Sequence, residues 1–202
     1  MAPRIDKVVI SGVFSLDGQD FDVDNNVWLV GDDDEVLVID APHDATPIVA
    51  AVGGRKVAGI VLTHGHNDHI TAAVALREAV DAPIWSHPAD RMLWDVVHPD
   101  ASPDGEIADG TRFAVAGTTL QALHTPGHSP GSTCLYAPDL GTVFTGDTLF
   151  CGGPGATGRS FSDKPTILTS ITGRLMSLPG DTVVRTGHGD DTTIGAEVGH
   201  IS

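Results

Sequence analysis

The chain has 202 residues, 41% of them hydrophobic, enough to bury a substantial core as one compact domain spanning residues 1–202. Eleven Lys and Arg against 27 Asp and Glu give a net charge of −16, and with no basic patch to reverse that field, nucleic acid is excluded as a partner. No apolar run reaches membrane-spanning length and the amino terminus "MAPRIDKVVISGVF" lacks the parts of a secretory leader, so a soluble, cytoplasmic protein with no membrane partner is expected.

In chain order, strand-like segments fall at residues 8–14, 26–30, 36–39, 59–63, 82–85, 111–115, 119–124, 132–136, 143–145 and 182–186. Helix-like stretches, with apolar residues at three-to-four spacing, lie at 46–52, 68–80, 89–97 and 165–178. Many strands interleaved with few helices indicate an α/β or α+β domain with more sheet than one parallel sheet requires. The acidic runs "DGQDFDVDNN" and "GDDDEV" read as solvated turns, the second as a hairpin loop between two strands. No repeat and no linker divides the chain. The glycine-rich stretch at 151–164 reads as a long loop after a strand end, where functional loops tend to be found. Two cysteines, Cys134 and Cys151, are too few for a disulfide framework and read as small hydrophobes.

"LTHGHNDHI" follows the buried strand pattern "VAGIV", which puts His64, His66, Asp68 and His69 in the turn after a strand and at the start of a helix. Crowded imidazoles repel one another when protonated, and a metal ion removes that conflict by holding them neutral. Three further strand ends are each followed by glycine and a ligand-type residue: "LHTPGHSPGS" with His124 and His128, "VFTGDTLF" with Asp147, and "VVRTGHGDDTTIG" with His188. Together they offer His64, His66, Asp68, His69, His128, Asp147 and His188, enough for two metals with an aspartate between them. Nitrogen and carboxylate donors without thiolate suit zinc first, with iron or manganese as alternatives.

The motif series T-H-x-H-x-D-H, T-P-G-H-S-P-G-S, F-T-G-D-T-L-F and G-H-G-x-x-T-T-I-G-x-E, running from Asn26 to Glu197, resembles the metallo-β-lactamase superfamily, and within it the glyoxalase II-like branch. The resemblance implies a four-layer αββα sandwich of two mixed sheets with helices outside and metals at one sheet edge. It implies that His64, His66 and His128 bind one metal, that Asp68, His69 and His188 bind the other, and that Asp147 bridges. Asp40 matches a family aspartate that supports the site loop. His124 falls outside the ligand pattern, and His43, His87, His98 and His200 read as solvated or locally bonded.

Two divalent cations about 3.5 to 4 Å apart bring a shared water to a pKa near neutrality, with Asp68 orienting it and one cation polarising an acyl carbonyl. No spare general acid is evident, which favours a leaving group that departs as its anion; a thiol of pKa near 8.5 does so. The expected partner is therefore a small acyl-thiol. Metallo-β-lactamases generally lack the bridging aspartate, and persulfide dioxygenases keep one iron without using the last histidine. Lactones remain an alternative substrate and a mononuclear-iron oxygenase the alternative enzyme. Glyoxalase II itself has a carboxy-terminal helical domain that grips glutathione; this chain stops soon after the last motif, so those contacts do not carry over. The loop at 151–164 is expected to close over substrate instead, with Arg159 and Lys164 as its cations and Cys151 lining the pocket.

Overall fold

The computed structural model describes residues 2–201. The first sheet is built from β1 (Arg4–Leu16), β2 (Gln19–Gly31), β3 (Glu35–Ile39), β4 (Lys56–Val61), β5 (Ile84–Ser86) and β6 (Gly105–Glu106), paired in that order. Its first three strands are antiparallel, and β3 to β6 run parallel. Crossovers between the parallel strands carry the helices α1 (Ala45–Val52), α2 (Asn67–Ile70), α3 (Ala73–Val80) and α4 (Arg91–Val97). The second sheet is formed by β7 (Arg112–Val115), β8 (Thr118–His124), β9 (Thr133–Ala137) and β10 (Thr142–Gly146). The short ribbon β11 (Leu149–Phe150) and β12 (Gly153–Pro154) and the helix α5 (Lys164–Ser170) precede its remaining strands, β13 (Val183–Thr186) and β14 (Thr192–Thr193), and α6 (Ile194–Glu197) closes the fold. Its spatial order is β14-β13-β10-β9-β8-β7, with only β10 and β13 parallel.

Side-chain alternation along the strands decides the layers. In β3, Val36 and Val38 join Ile48, Leu76 and Trp94 under the helices of the first sheet. Leu37 and Ile39 face the other way and meet Phe113, Leu120, Leu135 and Phe144 of the second sheet. In β9 and β10, Leu135 and Phe144 look inward while Cys134 and Val143 pack beneath Ile167, Ile171 and Ile194 on the far side. Three apolar layers between four layers of structure make the expected αββα sandwich. Among the described residues no helix is long and apolar enough to cross a membrane.

Three expectations need correction. The run at 17–26 is mostly strand: Asp17 and Gly18, both at positive φ, form a two-residue turn, and β2 starts at Gln19. Asp20, Asp22 and Asp24 alternate with Phe21, Val23 and Asn25, so the acidic residues belong to one face of a strand. The helix expected over 68–80 is broken between α2 and α3 at Thr71 and Ala72, where Ala72 N donates to Ala41 O. The helix expected over 165–178 continues beyond α5 as a wider π-type turn at Ile171–Leu175.

Candidate metal centre

Four chain segments leave the carboxyl ends of β4, β8, β10 and β13 and converge at one edge of the sandwich. Along most of its length each strand buries at least every second residue, and the chain leaves each one toward the same point. Asn26 ties the two sheets together there: its N–H donates to Gly187 O at 2.8 Å and its side-chain amide to Thr186 O at 3.0 Å. At Gly187 a Cβ would overlap the Asp147 carboxylate and crowd the His69 ring, so the backbone passes where only glycine fits.

All seven residues expected at the site are brought together. His64, His66 and His128 present ligand atoms within 4.8 Å of one another, as do Asp68, His69 and His188, and as do His64, His69 and Asp147. Asp147 faces both groups. Its Oδ1 lies 3.2 Å from His69 Nε2, while its Oδ2 lies 3.5 Å from His128 Nε2 and 3.4 Å from His188 Nε2.

Hydrogen bonds fix how the rings face. His128 Nδ1–H donates to Ala156 O at 2.9 Å and His188 Nδ1–H to Asp24 O at 2.8 Å; since a carbonyl only accepts, each ring's Nε2 is turned to the site. His69 Nδ1 is held by Asp40 Oδ2 at 2.8 Å. Asp40, itself in a left-handed conformation, also accepts from Thr63 N at 2.7 Å and Thr63 Oγ1 at 2.8 Å, which is the loop-supporting place expected for it. Thr63 Oγ1 in turn lies 3.1 Å from His64 Nδ1.

Ring nitrogens that face one another are a poor fit to protons and a good fit to a cation. His66 Nδ1 is 2.9 Å from His128 Nε2, and His69 Nε2 is 3.3 Å from His188 Nε2. His64 Nε2, His66 Nε2 and Asp147 Oδ1 are buried with no hydrogen-bond partner, a state that costs about 1–3 kcal/mol per group. Burial, reinforced by His69, holds the His64 imidazole well below the usual range; burial and then His128 push His66 down to about 3. Burial also opposes charge on His69 and His188, but Asp147 outweighs it in both, aided by Asp68, and His188 is pushed up to about 10. For Asp147 burial is outweighed by His69 and His188, which hold the carboxyl well below its ordinary value. His64 and His66 are thus held neutral and Asp68 and Asp147 anionic, as metal ligands must be, while the protons favoured on His69 and His188 occupy the place of positive charge that a divalent cation would take on displacing them.

Around this centre lies a cavity of about 510 Å³, lined on its outer side by Phe14, Phe21, Val23, Phe150 and Ala156 together with Arg159. Of the three loop residues singled out in the sequence, Arg159 lines this cavity and Cys151 and Lys164 do not. Cys151 is exposed in the turn that joins β11 to β12, and its neighbour Phe150 lines the cavity in its stead. Lys164 is exposed at the first turn of α5, behind the cap that Asp163 makes to Thr166 N. His124 is stacked on His87, with centroids 4.2 Å apart, away from the centre.

Sequence reasoning missed three supports. Asn25, buried in the acidic run, donates from Nδ2 to Asp68 Oδ2 at 3.0 Å. Its Oδ1 accepts from His43 Nε2 at 2.8 Å, so His43 is tied to the centre and not merely solvated. That ring rests on the bare backbone of Gly12, where a Cβ would overlap it. Asp90 accepts from Gly65 N, Ser129 Oγ and Gly131 N, joining the loop of His64 and His66 to that of His128. The legible signals were the alternation D-F-D-V-D-N for Asn25 and a carboxylate at the opening of a helix for Asp90.

Residues 21–188 match the metallo-beta-lactamase superfamily. The hydroxyacylglutathione hydrolase GloC of Haemophilus influenzae is 31% identical over 188 residues, covering 85% of this chain and 89% of that protein. Among solved structures, TTHA1623 in a di-iron-bound form superposes with a TM-score of 0.78 at 34% identity, covering 88% of this chain and 94% of the other. The BLEG-1 B3 metallo-beta-lactamase superposes with a TM-score of 0.80 at 28% identity, covering 95% and 98%.

Proposed function

The chain belongs to the metallo-β-lactamase superfamily, and from that premise we propose that it is a metal-dependent hydrolase that binds two divalent ions and cleaves a thioester of a small thiol. The observation that carries this reading is the pair of three-residue sets, His64, His66 and His128 on one side and Asp68, His69 and His188 on the other, with Asp147 facing both. A mononuclear site has no use for the second set.

Two divalent ions held by these residues would supply an acidified water and polarise an acyl carbonyl. The chain's own residues supply the geometry. Asp40 and the carbonyls of Ala156 and Asp24 lock three rings with Nε2 inward, an outer support that holds ligands in register. Asn25 holds the Asp68 carboxylate in place by its Nδ2 donation to Oδ2, and that carboxylate would orient the attacking water. The three carboxylates that line the cavity are Asp24, Asp68 and Asp147. Two belong to the ligand sets, and Asp24 Oδ1 already accepts from Ser11 Oγ at 2.6 Å. That leaves no protonated acid for an amine leaving group, whereas a thiolate needs none. Zinc is the metal proposed first; the donor set admits iron or manganese equally well on chemistry alone.

Elemental analysis of the purified protein should find about two metals per chain. The loaded protein should release thiol from members of an acyl-thiol panel, and Asp147→Ala should lose both metal and activity. One metal per chain with oxygen consumed on a persulfide, or cleavage confined to lactones, would replace this reading.

A further inference from the structure

Resting on the thioesterase reading, we propose that the cavity selects acyl compounds in which a short apolar spacer ends in a single carboxylate, Phe14 and Phe21 packing the spacer and Arg159 taking the carboxylate. Phe14 and Phe21 are direct cross-strand partners near the tip of the β1–β2 hairpin, with ring centroids 6.2 Å apart. The Phe14 ring also lies 5.3 Å from that of His66. The order is therefore His66, Phe14, Phe21, with Arg159 lying over Phe21 at 4.3 Å and over Phe14 at 5.9 Å. An anion on Arg159 is separated from the metal centre by the Phe14 and Phe21 rings, whose apolar surface suits an apolar spacer between the two.

Arg159 is equipped to bind from outside the chain. Arg4, Arg55, Arg77, Arg91, Arg174 and Arg185 are each paired with an aspartate, and Arg112 lies on β7 outside the cavity. Among the described residues Arg159 has no carboxylate within 4.0 Å; its one side-chain hydrogen-bond partner is Gln19 Oε1 at 3.5 Å, and the Asp17 carboxylate is near enough to feel its charge without forming an ion pair. Its backbone is nonetheless fixed. Arg159 N donates to Ser162 Oγ at 3.1 Å, and Ser160 N donates to Asp17 Oδ2 at 3.0 Å, which ties the loop to the hairpin turn. Stacking on a ring uses the guanidinium's face and leaves its fork of N–H donors free for a carboxylate. The chain as a whole is strongly acidic, so an anion is drawn to this cavity through Arg159 and the bound cations and repelled elsewhere.

The anion can sit on the acyl half or on the thiol half, and three substrates separate these. S-glutaryl-N-acetylcysteamine carries a carboxylate beyond three acyl methylenes, S-butyryl-N-acetylcysteamine lacks only that carboxylate, and S-butyryl-3-mercaptopropionate carries it on the thiol. One carboxylated substrate should exceed the neutral one in kcat/KM by about tenfold or more, and which one does assigns the half; tenfold corresponds to about 1.4 kcal/mol. Arg159→Gln should shrink that ratio to less than about twofold, and Arg159→Lys, which keeps charge without the fork, should retain part of it. Equal kcat/KM across the three, or a ratio that survives Arg159→Gln, overturns the proposal. If no thioester is cleaved, the thioesterase reading falls and calorimetry on the metal-loaded protein decides the cavity separately. Glutarate should bind about tenfold tighter than butyrate, with the margin lost in Arg159→Gln; equal binding overturns it.

Discussion

Asp90→Asn tests how the first imidazole set is held. The buried carboxylate accepts from Gly131 N at 2.6 Å through Oδ1, and from Gly65 N at 2.8 Å and Ser129 Oγ at 2.7 Å through Oδ2. An asparagine that keeps the Gly131 bond turns an NH₂ group toward two donors. Ser129 can rotate to Ser132 Oγ, 2.9 Å away, but Gly65 N–H is left buried and unpaired. An orphaned donor costs about 1–3 kcal/mol and each lost bond to a charged acceptor about 1.5–3. Against this, burial disfavours the charged form of Asp90, raising its pKa over the opposing bonds from Ser129, Gly131 and Gly65, so part of the loss is returned. A net destabilisation of about 2–4 kcal/mol follows, a large share of the roughly 5–15 kcal/mol that holds a typical domain. Gly65 lies between His64 and His66, and Ser129 follows His128, so the loosened loops carry all three imidazoles of one set. Metal affinity at that set should fall about 10–100-fold, with less effect where Asp40 and Asn25 do the holding. Urea unfolding gives the first quantity, and a chelator competition with cobalt(II), whose visible spectrum separates an all-imidazole set from one containing Asp68, gives the second. An unchanged urea midpoint, or a loss falling on the Asp68, His69 and His188 set, would refute the reasoning.

The opposite selectivity is expected at Asn25. Asn25→Ala removes the donor to Asp68 Oδ2 and the partner of His43, and should weaken metal binding about 10–100-fold at the Asp68, His69 and His188 set while sparing the other; equal losses at both sets in the same competition would count against it. A pH effect is expected at His87, whose pKa burial and then His124 push down to about 4. The unfolded chain, with an ordinary histidine pKa of about 6.5, binds the extra proton between these values, so stability must fall as pH drops from about 6.5 toward 4. His87→Asn should flatten the dependence of unfolding free energy on pH in that window relative to the parent, and an unaltered slope would contradict the assignment.

The fold was legible where burial writes itself into runs of apolar residues. β3, β4, β9 and β10 have apolar side chains on both faces because each sheet is covered on both sides, and "VLVID" and "VAGIV" announce that directly. The hairpin was not legible because the tip of β1–β2 projects beyond the covered part of its sheet: Phe21 is 36% exposed and its neighbours are aspartates, so the hydrophobic signal is diluted to every second residue. The candidate ligands were visible as residue types after strand ends, since β-strand termini followed by glycine are places where a backbone can turn toward an ion. Their supports were not. Asn25, His43 and Asp90 act through hydrogen bonds to residues 18 to 43 positions away in the sequence, and such partners leave no local pattern.

The split of the centre between the two sheets has an energetic consequence. His64, His66, Asp68 and His69 follow β4 of the first sheet, whereas His128, Asp147 and His188 follow β8, β10 and β13 of the second. Neither sheet completes a ligand set alone: His64 and His66 need His128, and Asp68 and His69 need His188. Direct bonds across this edge come from Asn26 and Trp28, which donate to Thr186 O and Gly189 O, from the Ser129 and Gly131 bonds to Asp90, and from His188 to Asp24 O. Beside them stand a crowded pair of carboxylates and imidazoles with unpaired buried nitrogens. Cations in the proposed sites would join the sheets at their least compensated point, so part of the metal-binding free energy is folding free energy. The same residues that would activate water therefore also close the sandwich, and a substitution such as Asp147→Ala removes a proposed ligand of both ions and a joint between the sheets at once.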